Sequence, residues 1–293
     1  MAESRFSETQ PFRERRASAA RTGVPPYRRR ATDRVAKSAF VLDPGCSIDG
    51  VTINVPTLRA AYGEVARRAL SEIGFALFTL NLDHLATMRS NARFRAAYQR
   101  ASLVTADGWP VVWLANRGNV RLERTCGSDL VDPVCKSAAK LGIPVFFVGP
   151  EPSSQIYALS ALRKRYPTLN MVGRYAPSIS TMPTVEEADA VAKRINDSGA
   201  RLCFVCLGAP KQELLVDALA PLCQGVGFLC VGAALDFISG HSRRAPYWLQ
   251  RAGLEWLWRL LGDPKRLAPR YLASAHALIL LLLRSNRDAM RNK

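Results

Sequence analysis

Five short runs in this chain hold almost nothing but apolar residues: 75–80 (FALFTL), 103–106 (LVTA), 143–148 (IPVFFV), 202–207 (LCFVCL) and 226–231 (VGFLCV). Each has the length of a strand, and stretches with helical spacing stand between them. A strand with one wet face alternates apolar and polar residues, whereas a uniformly apolar strand is covered on both faces. Strands of this kind alternating with helices predict an α/β fold, a Rossmann-like and mostly parallel sheet with helices on both faces. Weaker strand signals lie at 51–54 and 170–173. Helices are expected over 57–73, 83–100, from 110 onward, 128–141, 154–166, 184–196 and 210–219. Thr184 followed by Glu187 makes a capping box for one of them. The alternation stops near Gly240, and only helix signals follow, at 248–261 and 264–287. The expected organisation is a disordered basic tail over 1–40, an α/β core over 41–240 and a helical appendage over 241–293.

With 293 residues, 48% of them hydrophobic, the chain has material for one large core. Its net charge of +17 is concentrated at the ends. Residues 1–40 carry ten Lys and Arg against four acids, residues 241–293 eleven against three, and those between 20 against 17. Basic ends on a balanced middle point to an anionic partner surface. The tail lacks both the apolar core of a secretory signal and the aromatic interleaving of a nucleic-acid binder. The run 271–283 (YLASAHALILLLL) is apolar but shorter than the about 20 residues a bilayer span needs. Lys265, Arg266 and Arg270 precede it, and Arg284, Arg287 and Arg291 follow it. That make-up suits a helix lying in a membrane interface; a core or oligomer-contact helix is the alternative.

Seven cysteines, an odd number scattered through apolar runs, suit a reducing cytoplasm better than a disulfide framework. Cys203 and Cys206 match C-x-x-C by letter. On a strand, three-residue spacing sends the two thiols to opposite faces, so no metal or redox pair is expected. Nothing resembling G-x-G-x-x-G, a Walker loop or D-x-D occurs, and no cofactor or metal is expected.

Candidate chemistry gathers at strand ends. The segment LVTADGWP (103–110) is a buried strand that stops at Asp107 and Gly108 just before a helix. A carboxylate at that edge of an open sheet faces the ligand crevice and can act as a general base; capping the next helix is the competing role. Thr79 and Asn81 end an earlier strand on one face, and Asn81 can alternatively cap the next helix. In LGAPKQE (207–213), Gly208 lets a ligand approach, Lys211 and the helix N-terminus offer an anion site, and Gln212 can read a sugar or base. An ordinary tight loop is the alternative there. Arg124 sits in a polar loop ahead of Gly127 and Ser128, where a helix start can meet phosphate.

Together these segments resemble the WecG/TagA/CpsF glycosyltransferases over about residues 50–271. The resemblance is carried by TLN (79–81), ADG (106–108), ERTCGSD (123–129), GAPKQE (208–213), GAALDFISG (232–240), RAP (244–246), and GLEWLWR (253–259) with Pro264 and Arg266. It implies a metal-independent, inverting enzyme. Such an enzyme moves a sugar from a UDP-sugar (N-acetylmannosamine, its uronic acid or glucose) to a polyprenyl-diphosphate-linked saccharide, in cell-surface polysaccharide synthesis. It also implies peripheral association with the inner face of the cell membrane. By the same resemblance Asp107 is the general base, Thr79 and Asn81 hold a sugar beside it, and Arg124 and Gln212 position the donor. Arg259, Arg266 and Arg270 neutralise the departing diphosphate. Cys126 stands where the family pattern has a small residue, the spacing from Arg266 to Arg270 is stretched, and residues 1–40 have no counterpart. A homo-oligomer is compatible with this reading; nucleic acid is not an expected partner. The rival readings are a non-catalytic sugar-nucleotide binder or assembly protein, indifferent to Asp107→Asn, and a nucleic-acid binder whose affinity falls steeply with salt.

Overall fold

A computed structural model of the chain describes residues 41, 45–117 and 120–291. The expected tail, 1–40, lies outside the described residues. The chain opens with a hairpin, β1 (Cys46–Ile48) and β2 (Val51–Ile53), paired antiparallel. Asp49 and Gly50 form its turn, both with positive φ, which is the Asp-Gly chemistry of a two-residue hairpin loop. The residue pattern marks the second of these strands only.

Helix α1 (Leu58–Leu70), capped by Thr57, leads into β3 (Phe75–Leu80). Next come α2 (Leu82–Ser90), α3 (Ala92–Arg100), β4 (Leu103–Ala106), α4 (Trp109–Ala115) and α5 (Gly127–Leu141). Then follow β5 (Val145–Val148), α6 (Pro152–Arg165), β6 (Met171–Tyr175), α7 (Val185–Ser198), β7 (Leu202–Val205), α8 (Lys211–Leu219) and β8 (Gly227–Cys230). Helices α9 (Ala234–Ser239), α10 (Tyr247–Arg251), α11 (Glu255–Gly262) and α12 (Pro264–Arg291) complete the described fold.

Six strands form one all-parallel sheet in the order β4-β3-β8-β7-β5-β6, as the apolar runs require. Side chains alternate between two cores. Phe78, Val104, Phe146, Cys203 and Phe228 pack on one side under α2, α3, α7 and α8. Leu77, Leu103, Phe147, Phe204 and Cys206 pack on the other under α1, α5 and α6. Cys203 and Cys206 thus fall on opposite faces, as their spacing dictates.

Two expected helices are broken, each for a local reason. Residues 83–100 divide at Asn91, whose side chain caps α3 by accepting the Phe94 N–H at 2.9 Å. The break turns Phe94, Ala97 and Tyr98 inward. Residues 248–261 divide at Gly253, which adopts φ +74 against the Trp109 ring. The capping box of Thr184 and Glu187 forms as expected.

Helix α5 is not opened by Ser128. Cys126 occupies the cap position, and Gly127 is already helical. A side chain on Gly127 would meet the Val231 backbone at 2.7 Å, so glycine here serves the packing of α5 against the loop after β8. Gly127→Ala is therefore expected to lower stability by about 1–3 kcal/mol through overpacking, read as a lower urea midpoint with an unchanged slope.

Candidate active site

Because the strands are parallel, all six carboxyl ends open on the same edge. One cleft of about 1660 Å³ runs along it. Every strand end contributes to its lining, through Asn81, Asp107, Glu151, Ser178, Gly208 and Gly232 in turn. Single small-molecule sites are commonly about 300–1,000 Å³, so the cleft has room for two substrates. Its roof is the appendage: Glu255, Trp256, Arg259, Arg270 and Tyr271 face the same space.

The register of β3 and β4 builds the floor. Thr79 pairs with Thr105 and Leu80 with Ala106, and the Asp107 N–H donates to the Leu80 carbonyl at 2.7 Å. One step further on, Asn81 and Asp107 leave the sheet side by side. Asp107 does not cap α4; that position belongs to Gly108, at φ +85 and with no side-chain cap bond. The carboxylate is left facing the cleft, half-buried. Burial pushes its pKa up to about 6. Arg124 pulls it down, Glu255 pushes it further up, and a hydrogen bond from Asn81 and the charge of Arg259 lower it. Asn81 takes the capping role, its Oδ1 accepting the His84 N–H at 2.9 Å, and it also lines the cleft, where its amide helps hold the Asp107 pKa down.

Arg124 stands near enough to Asp107 to lower its pKa because its loop runs along β4. The Thr125 N–H donates to the Ala106 carbonyl at 2.8 Å, and the Thr105 hydroxyl to the Thr125 carbonyl at 2.9 Å. Arg124 also pairs with Asp129 at 3.2 Å and Glu255 at 4.0 Å. Arg244, which the sequence reading gave no role, pairs with Asp129 at 2.6 Å and Glu255 at 3.7 Å. Glu255, also unassigned from sequence, thus bridges the appendage to Arg124 of the core and pairs within the appendage with Arg244. Burial, then Asp107 and Asp129, push the Cys126 thiol up to about 12, so it stays protonated and is no nucleophile.

The structure brings most of the expected residues together and spreads their tasks. Thr79, Asn81, Asp107, Arg124, Gly208, Lys211, Gln212, Arg259 and Arg270 all line the cleft. At Gly208, φ is +73 and a side chain would project into open space, which fits a backbone approached by ligand. Gln212 is buried and committed within the protein: its Oε1 accepts the Gly232 N–H at 3.0 Å, and its Nε2 donates to Glu213 at 2.8 Å. It ties the loops after β7 and β8 together. Arg270 forms a two-pronged pair with Asp83, locking α12 onto α2. Arg266 lies four residues earlier on α12.

Among the described residues, no group of three His, Cys, Asp or Glu is arranged to hold a metal ion, and no helix is long and apolar enough to cross a membrane. Helix α12 buries Leu267, Ser274, Ala277 and Leu281, while Leu272 on its other side is 72% exposed. In α10 and α11, Trp248 and Leu261 are 67% and 73% exposed.

Compared with known families, residues 46–292 match the sequence model described as the Glycosyl transferase WecG/TagA/CpsF family.

Two outcomes follow from the geometry. The folded pKa of Asp107 lies above its ordinary 3.8, so the native state holds its proton more tightly than the unfolded chain. Its contribution to stability is therefore present below about pH 4 and lost as pH rises through about 6. Asp107→Asn should raise the melting temperature at pH 7.5 and not at pH 4, by differential scanning calorimetry. A side chain at Gly253 would come within 2.3 Å of the Trp109 ring at a positive φ. Gly253→Ala should speed amide exchange across residues 255–262 and leave the sheet protected.

Proposed function

The chain belongs to the WecG/TagA/CpsF glycosyl transferase family, and from that premise we propose that it moves a sugar from a UDP-sugar to a polyprenyl-diphosphate-linked saccharide, with inversion at the anomeric carbon. The observation that carries the mechanism is Asp107, a carboxylate facing the cleft with its pKa raised to about 6 and cations on two sides. At neutral pH such a group is ionised and basic enough to take a proton from a hydroxyl as that hydroxyl reacts.

In this reading the acceptor hydroxyl gives its proton to Asp107 while its oxygen attacks the anomeric carbon. The bond from that carbon to the diphosphate oxygen breaks on the opposite side. The electron pair stays with that oxygen, and UDP departs. The growing charge on the diphosphate is met by Arg259, with Lys211 and the N–H groups opening α8 available to the donor's phosphates; the Arg266 side chain, expected to share this work, lies outside the described residues. Thr79 and Asn81 flank the reacting sugar, and Arg124 orients the donor. Gln212 contributes by holding Gly208 and Gly232 in place, and Arg270 by pinning α12. Cations doing this work need no divalent metal. The acceptor's lipid places the reaction at a membrane surface. The exposed Trp248, Leu261 and Leu272 on a basic appendage support peripheral attachment there.

The test is UDP release by the purified full chain, given a synthetic prenyl-diphosphate-sugar acceptor, a panel of UDP-sugars and EDTA. Acceptor-dependent turnover should survive EDTA and fall about 10²–10⁴-fold in Asp107→Asn. The wild-type kcat/KM should lose activity below about pH 6, where Asp107 takes up its proton. A requirement for divalent metal, or full activity in the variant, would overturn the mechanism.

A further inference from the structure

A buried chain of hydrogen bonds runs from the cleft floor into the core, and donor chemistry allows it one direction. It starts at Asn81. The Asn81 Oδ1 is taken by the His84 N–H at 2.9 Å, so the amide nitrogen points the other way. That nitrogen lies 3.4 Å from the His84 Nε2. An amide nitrogen only donates, so Nε2 must present its lone pair. The ring proton then sits on Nδ1, which is 2.6 Å from the Tyr98 hydroxyl. Tyr98 accepts there and spends its own proton on the Thr79 carbonyl, 3.3 Å away. Each link has one donor and one acceptor, and His84, Tyr98 and Thr79 are all buried. The second Asn81 amide proton is left for Asp107.

We propose that His84 is a positioning residue for the base: as the Nδ1–H tautomer it holds the Asn81 amide in the one orientation that donates to Asp107. The proposal rests on the reading of Asp107 as general base. Tyr98 maintains the tautomer, because its oxygen is the acceptor that Nδ1–H meets at 2.6 Å. A proton on Nε2 would meet the Asn81 N–H head-on. The amide would then have to turn, giving up the α2 cap and facing its carbonyl oxygen at the carboxylate. Burial favours a neutral ring and lowers the His84 pKa to about 4; Asp83 on its own helix and the Thr79 carbonyl oppose this, and Arg270 from α12 adds to it. Tyr98 in turn lies near Glu213 of α8, Cys230 and Asp107, and its pKa is raised well above the ordinary value, first by burial. Asp107 itself is faced by Arg124, Glu255 and Arg259.

The prediction has two independent readouts on the full-length protein. With only three histidines in the chain, ¹⁵N-imidazole labelling resolves each ring, and His84→Gln assigns the signal. Wild-type His84 should show a protonated Nδ1 and a bare Nε2 at pH 7; a protonated Nε2 overturns the proposal whatever the kinetics of the variants. In kinetics, Tyr98→Phe and His84→Leu should move the acid limb of kcat/KM upward by about half a pH unit, about threefold in rate on the acid side, because the ionised base loses a donor. His84→Gln, which keeps an acceptor, should bring the limb back. Lower turnover with the limb unmoved in both variants is the mark of a merely structural role and overturns the proposal, leaving the base assignment standing if Asp107→Asn is inactive. An Asp107→Asn enzyme that keeps both its turnover and its acid limb removes the base reading and this inference together.

Discussion

Everything at this site depends on a parallel sheet whose two faces are both buried. Parallel strands joined by crossover helices all run the same way, so every strand end spills its loop over one edge. Six strands therefore deliver six loops to one cleft. The tight register between β3 and β4, closed by the Asp107 N–H on the Leu80 carbonyl, sets Asn81 beside Asp107. Backbone hydrogen bonds with no slack hold that neighbourhood, so the carboxylate can be partly desolvated and still be aimed.

Desolvating a carboxylate costs free energy unless charge and hydrogen bonds offset it. Here the compensation is partial by construction. Arg124, Arg259 and Asn81 favour the ionised form, while burial and Glu255 oppose it. The result is a group between an ordinary surface acid and a trapped neutral one. Glu255 also holds Arg124 and Arg244, so the appendage joins the electrostatics of the floor as well as roofing the cleft. Its attachment is polar at Arg270–Asp83 and apolar through Leu267, Ala277 and Leu281. The aromatic and aliphatic side chains on its outer side remain exposed.

Much of this was legible in order along the chain. The uniformly apolar runs specified a covered parallel sheet, and the Thr184–Glu187 box and the strand-end motifs stood where the structure has them. Two expected helices, 83–100 and 248–261, are broken for a common reason: Asn91 and Gly253 interrupt otherwise good helical spacing, and a period cannot show that a side-chain cap or a ring contact will win locally. Gly127 and Gln212 both line the cleft, but their close packing on the Val231 backbone and their bonds to Gly232 and Glu213 are contacts between distant segments that no linear pattern records.

By itself the sequence determined the fold class, the edge along which the cleft opens, and the acid that stands there. Those follow from hydrophobic period and from strand direction, which are properties of contiguous residues. Only the tertiary structure decided which groups surround that acid. Glu255 and Arg259 of α11, Arg124 and Asn81 come to Asp107 from three separate segments, and His84 meets Tyr98 only because the chain turns at Asn91. Charge and hydrogen bonding act through space at a few ångströms, and a linear pattern carries no record of which distant residues the fold will bring within that range.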